Sequence, residues 1–125
     1  MSFAYWCILA AALLPYLFTG LAKSSSRFDN RAPRDYLAAT GGWRKRAHWA
    51  QLNGFEAFPP FAAGVLVAQQ VQAPAASVNW LAGLFILFRL LHGLLYIADR
   101  ATLRSLAWLG GIICVVGLFV AAASA

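Results

Sequence analysis

The residues best suited to chemistry in this chain are polar and ionisable groups set inside apolar runs. Asn53 and Glu56 stand three apart in one run, so on a helix they face the same way, with Trp49 one turn before Asn53 on that face. Arg89, His92, Tyr96, Arg100 and Arg104 follow at steps of three, four, four and four. At about 100° per residue these fall in an arc of roughly 120° for as long as a helix continues. Two helices therefore carry one polar stripe each. An ionisable group deep in an apolar run is costly and marks a functional site by default, which singles out Glu56 and Arg89.

Depth brings the two stripes into register. Glu56 and Arg89 each lie about nine residues inside the cytoplasmic ends of their runs, or about 14 Å at 1.5 Å per residue. On antiparallel neighbours they pair, since an unpaired acid or base there costs about 2.5 to 3.5 kcal/mol on insertion scales. The same matching sets Asn53 against His92, Trp49 against Tyr96, and Arg46 and Lys45 against Arg100. The ladder runs from a buried ion pair, through neutral donors and acceptors, to cations at the surface. That is the form of a site for a small, flexible anion, with its carboxylates on the arginines and its amides or amine deeper. Polar residues also glue membrane helices, but at about 0.6 kcal/mol per interhelical hydrogen bond two helices do not need this many.

The elements that must position these groups are transmembrane. The chain is 62% hydrophobic and only 11% charged, with a formal charge of +6, whereas a soluble domain is about 25% charged. Four spans are expected, at about Phe3 to Ala22, Ala47 to Val71, Val78 to Ala98 and Leu103 to Ala123, within a single domain over residues 1–125. Each run is long enough to cross about 30 Å of hydrocarbon as a helix, and the absence of alternation argues against a barrel. The fold class is thus all-α, an integral membrane four-helix bundle.

Basic residues cluster in Lys23 to Arg46 and again at Arg100 and Arg104, which places both segments on the cytoplasmic side. The link Gln69 to Asn79, the stretch before Lys23 and the tail after Arg104 carry no charge, so both termini are expected on the non-cytoplasmic side. Positive charge follows the first run instead of preceding it, which predicts a retained span, not a signal peptide. The basic residues flank spans without interleaved aromatics on a soluble face, which excludes a nucleic-acid partner; anionic lipid headgroups account for most of them.

Lys23 to Arg46 reads as a long loop, ordered in part where Tyr36 and Leu37 can dock. Pro74 breaks the second connection, and the third is centred on Asp99 to Thr102. Pro15 is expected to bend span one, and Pro59 and Pro60 to bend or open span two. Gly110, Gly111 and Gly117 permit close approach in span four. Cys7 and Cys114 read as apolar fillers, without metal-binding spacing.

Asn53-Gly54-Phe55-Glu56-Ala57-Phe58-Pro59-Pro60-Phe61, together with Arg89-x-x-His92-x-x-x-Tyr96 followed by Arg100 and Arg104-Ser105, resembles the membrane-associated proteins in eicosanoid and glutathione metabolism, MAPEG. The likeness covers essentially the whole chain, and the second motif is the more specific. It differs from many relatives at Trp49, where they carry arginine, and from leukotriene C4 synthase at Ala57, where that enzyme has tyrosine. The resemblance implies a homotrimer of four-helix protomers in a membrane, the inner membrane for a bacterial member. It implies glutathione as cosubstrate, bound between subunits in the cytoplasmic half, with Asn53, Glu56, His92, Tyr96 and Arg104 matching residues that hold it in relatives; Arg89 and Arg100 join the expected binding set from the ladder. It further implies that Arg104 and Ser105 stabilise the glutathione thiolate, either Arg104 or Arg100 being the cation at the sulfur, with Arg104 favoured.

Three functions compete at this point. The first is a glutathione transferase or peroxidase acting on lipophilic electrophiles that enter from the bilayer. The second is a glutathione- or lipid-binding scaffold without turnover. The third is a small multidrug exporter, which also has four spans and one membrane glutamate, but usually with that glutamate in the first span.

Overall fold

The computed structural model describes residues 1–125, all of whose regular structure is helical: α1 (Phe3–Ala22), α2 (Pro33–Ala39), α3 (Gly42–Gln70), α4 (Ala75–Ile97) and α5 (Ala101–Ala123). Helices α1, α4 and α5 are long and apolar enough to cross a membrane. At 29 residues, or about 43 Å, α3 has the length to do so, with its charged residues lying between Arg44 and Glu56 and two glutamines at its far end. It starts five residues before the expected boundary at Ala47, because Arg44, Lys45 and Arg46 are good helix formers that a hydropathy reading excludes.

The segment Lys23 to Arg46, expected as loop, contains α2. Pro33 at its first helical position and Asp35 in its first turn suit a helix start. Leu37 is buried against Ala22 and Ala47, and the Tyr36 hydroxyl donates to the Ala22 carbonyl at 3.1 Å. Docking of these two residues, expected from their apolar character, is what holds the short helix in place.

Helix α3 touches every other helix. Phe61 of α3 stacks on Phe85 of α4, with centroids 3.9 Å apart and planes 4° from parallel. Val65, Val78 and Leu118 complete a fully buried centre, and Cys7 and Cys114 lie in the same core as free thiols. At the far end the Ser2 hydroxyl accepts from Gln69 Nε2 at 2.7 Å, and Asn79 Oδ1 accepts from the Ala4 amide at 3.1 Å, so α1 is tied to α3 and α4. Both α1 and α3 run unbroken through their prolines, so span two does not open at Pro59 and Pro60.

Between α4 and α5 the chain turns at Ala98 to Arg100, with Asp99 at φ 59°. The polar stripe that reads continuously from Arg89 to Arg104 is therefore cut, and Arg104 stands on the first turn of a different helix.

Where α1 crosses α4, the ring of Phe18 occupies the space a side chain at Gly93 would need: a Cβ there would lie 1.9 Å from Phe18 Cζ. Phe18 is 2% exposed and has nowhere to retreat. Gly93→Ala should therefore lower stability by about 1 to 3 kcal/mol through overpacking, whereas Gly20→Ala, with nothing within 4 Å of its Cβ, should not destabilise. Thermal unfolding of both variants in detergent checks this; a Gly93→Ala protein that melts with the wild type would remove the contact from the packing argument.

Candidate functional site

Arg89 and His92, 6% and 3% exposed, are the buried polar and charged residues of the structure. The Arg89 guanidinium donates through Nη2 to Asn53 Oδ1 at 2.8 Å, across the α3–α4 interface. The expected ion pair between Glu56 and Arg89 does not form; Glu56 is exposed and Asn53 holds the guanidinium. The reason is geometric. Three residues on a helix leave about 60° between side chains, so with Asn53 turned toward α4, Glu56 points to the edge of the interface. The arginine side chain, long enough to reach a full turn, finds the amide instead.

The amide's orientation follows from that bond. With Oδ1 accepting from a cation, Asn53 presents its NH2 group to whatever lies on the other side, as a donor. The other side is a recess of about 270 Å³ lined by Asn53, His92, Tyr96, Arg104, Ser105 and Trp108. The Arg104 guanidinium lies 4.3 Å from the centre of the Tyr96 ring. His92 meets the same ring edge-on, at 5.5 Å and 86°. Its Nδ1 is buried and has no hydrogen-bond partner, which is costly in the absence of a ligand.

A second recess, of about 380 Å³, is lined by Trp49, Leu52, Asn53, Glu56 and Tyr96. Asn53 and Tyr96 form walls of both, so the two adjoin along one side of the protein, where Trp49, Glu56, Ser105 and Trp108 are exposed. Asn53, His92, Tyr96, Arg104 and Ser105 are thus brought together, Glu56 next to them, and Arg89 behind Asn53. Arg100 is exposed at the start of α5 and lines neither recess. Trp108 was not among the expected site residues; its signal was its position one turn beyond Arg104.

The expected cluster of cations at the mouth is mostly occupied elsewhere. Arg46 donates through Nε and Nη2 to the Ile97 carbonyl, at 3.2 and 3.1 Å, and so closes the C-terminal end of α4. Lys45 Nζ donates to the Leu37 and Ala38 carbonyls at 2.9 and 2.8 Å, at the end of α2. These are the places where a cation complements unpaired helix carbonyls. Arg104 remains as the guanidinium that faces the recess.

Chemically the recess offers a permanent cation, a hydroxyl, an imidazole and an amide donor, with an indole as apolar wall. That set can hold an anion and stabilise negative charge beside Arg104 and Ser105. No three His, Cys, Asp or Glu side chains converge on a point that could hold a metal ion.

The Arg89–Asn53 bond makes a stability prediction of its own. Asn53→Leu leaves a buried guanidinium without its acceptor and should cost about 3 to 5 kcal/mol, while Asn53→Leu combined with Arg89→Met removes both polar groups and should recover most of the loss. Additive losses in that double-mutant cycle, measured by unfolding in detergent, would show that the bond does not couple the two helices.

The family model of the MAPEG family matches residues 3–124. No curated protein and no solved structure matches the chain. The match takes in all five helices and both halves of the recess, and it agrees with the resemblance carried by the motifs from Asn53 to Phe61 and from Arg89 to Ser105. The chain belongs to the MAPEG family.

Proposed function

We propose that this multi-pass membrane protein is a glutathione-dependent transferase or peroxidase acting on lipophilic electrophiles. The observation that carries the reading is the recess itself, lined by Arg104, Ser105, Tyr96 and a His92 whose Nδ1 is buried without a partner. The fit to glutathione is chemical. Asn53 donates to a peptide carbonyl, His92 gives or accepts one hydrogen bond according to its tautomer, and Glu56 accepts from the ammonium group of the γ-glutamyl residue. Glutathione supplies the nucleophilic thiol; the chain supplies the charge that makes it a nucleophile. A free thiol has a pKa of about 8.5, and a guanidinium beside it favours the thiolate. Arg104 provides that guanidinium, steadied over the Tyr96 ring, and the Ser105 hydroxyl can donate to the same sulfur. Trp108 and Leu52 provide apolar surface for an electrophile arriving from the lipid.

In this reading residues 1–125 form one four-helix membrane domain, with α3 as the fourth span, the site in the cytoplasmic half and both termini on the other side. The exposure of Glu56 supports association. A carboxylate about 14 Å inside the apolar layer cannot face acyl chains without a cost of some kcal/mol. A second copy of the chain, in a homotrimer, is what covers it, and the ligand is then held between protomers. The bacterial inner membrane is the location this arrangement suits.

Arg104→Ala should slow conjugation of glutathione to a chromogenic aryl halide by about tenfold or more near neutral pH. The pH dependence has a definite sign. Without the guanidinium the thiol titrates closer to its free value, so the deficit should be largest near pH 6.5 and shrink toward pH 9, where any thiol ionises. Equal rates at both pH values would remove Arg104 from the mechanism. Tight glutathione binding with no turnover by the wild type would favour the binding-only scaffold, and proton-coupled dye efflux abolished by Glu56→Gln would favour the exporter.

A further inference from the structure

Away from the recess, a second polar cavity of about 440 Å³ opens beneath α2, and its walls include Ser25, Arg27, Tyr36, Thr40, Gly41 and Arg44. We propose that this cavity binds the phosphate group of an anionic lipid of the cytoplasmic leaflet.

The walls are held rigidly. Arg44 donates through Nη2 to the Ser24 carbonyl at 2.9 Å, and its guanidinium stacks 4.4 Å from the Trp43 ring. The Tyr36 hydroxyl is fixed on Ala22 and Lys45 on the end of α2. Within this frame Arg44 Nε is buried and has no partner, and no hydrogen bond engages the Arg27 guanidinium. The nearest acid in sequence, Asp29, is turned back onto the Arg31 amide at 2.9 Å. Two guanidiniums therefore line a cavity without an anion from the chain. At the same wall Gly41 starts α3 with no side-chain cap, which leaves amide donors of the first turn available to the same anion.

Position decides the source of the phosphate. The cavity lies where α1 ends at Ala22 and α3 begins at Gly42, at the edge of the apolar layer, and it is flanked by cation–aromatic pairs, Arg44 with Trp43 and Lys23 with Phe28 at 5.2 Å. Aromatic rings and cations at that level mark the headgroup zone. The cavity is separate from the glutathione recess. Arg44 precedes Asn53 by nine residues, about 180° around α3 at 100° per residue, so the two open on opposite faces of one helix.

Native mass spectrometry of the purified protein in neutral detergent, titrated with phosphatidylglycerol, phosphatidylcholine and inorganic phosphate, tests this. Phosphatidylglycerol should bind in preference to phosphatidylcholine, and inorganic phosphate should not displace it. Arg27→Gln with Arg44→Gln should weaken phosphatidylglycerol binding by about tenfold or more, against less than about twofold for Arg31→Gln with Arg34→Gln, two exposed arginines of the same connecting segment. Equal losses in the two double variants would mean diffuse attraction to the surface and overturn the site. Displacement by millimolar phosphate would overturn the lipid as its occupant. Loss of glutathione affinity in the Arg27 and Arg44 variant would make the cavity a part of the recess and overturn its independence. Because Arg27 makes no hydrogen bond to the chain through its side chain, Arg27→Gln alone, which should retain the fold, keeps the test valid if the double variant unfolds.

Discussion

A guanidinium buried inside an apolar bundle is the constraint to which the rest of this structure answers. Arg89 cannot leave the interface between α3 and α4, and in that interface the acceptor it finds is the side-chain oxygen of Asn53. The bond fixes the rotation of both helices about their axes, since a turn of either by one residue would separate the partners and leave a buried charge unpaired. Once that rotation is set, the positions of His92, Tyr96 and Glu56 follow from helical spacing alone. Arg89 therefore acts on the recess from behind, by aiming the Asn53 amide, without lining it.

The same economy of charge explains why a chain with ten basic residues directs so few at its site. Helix ends in a membrane protein leave carbonyls that water reaches poorly, and here Arg46 closes α4 while Lys45 closes α2. Arg44 ties the connecting loop to Ser24. Arg46 and Lys45 are structural in this sense, and their contribution is local complementarity to helix dipoles. Arg104 differs because it stands at the beginning of α5, where a cation gains nothing from the helix ahead of it. It leans instead on the electron-rich face of Tyr96 and lines the recess.

Much of this was legible in the residues. The ends of α1, α4 and α5 fall within three residues of the expected spans because hydropathy drops at the charged Lys23 and Asp99 and the breaker Pro74 acts at the same point as the loss of apolar character. The grouping of Asn53, His92 and Tyr96 was legible because a spacing of four keeps His92 and Tyr96 on one face of α4 and depth sets Asn53 of α3 beside them. What spacing could not reveal was reach. Matching by depth treats each side chain as a point on its helix axis, and so gave Arg89 to Glu56; a flexible arginine chose the neighbour one turn away. Nor could periodicity register the turn at Asp99, which places Arg104 across from Tyr96 on another helix while leaving Arg100 outside. The start of α2 carried a readable signal in Pro33 and Asp35, hidden by the breakers around it.

The location of the recess depends finally on α1, which contributes no residue to it. Gly54 follows Asn53 directly, and a Cβ at Gly54 would lie 2.8 Å from Pro15 Cγ, so α1 and α3 are in close contact beside the residue that holds Arg89. Pro15 and Phe18 of α1, with Gly54 and Phe58 of α3 and Phe85 of α4, surround the Arg89 side chain, where the remaining space is about 10 Å³. That is roughly room for one water molecule. The guanidinium is held by Asn53, and Glu56 is left at the surface. The packing of the first span thus accompanies the separate placing of the two acceptors of α3, Asn53 toward the inside of the protein and Glu56 at its surface.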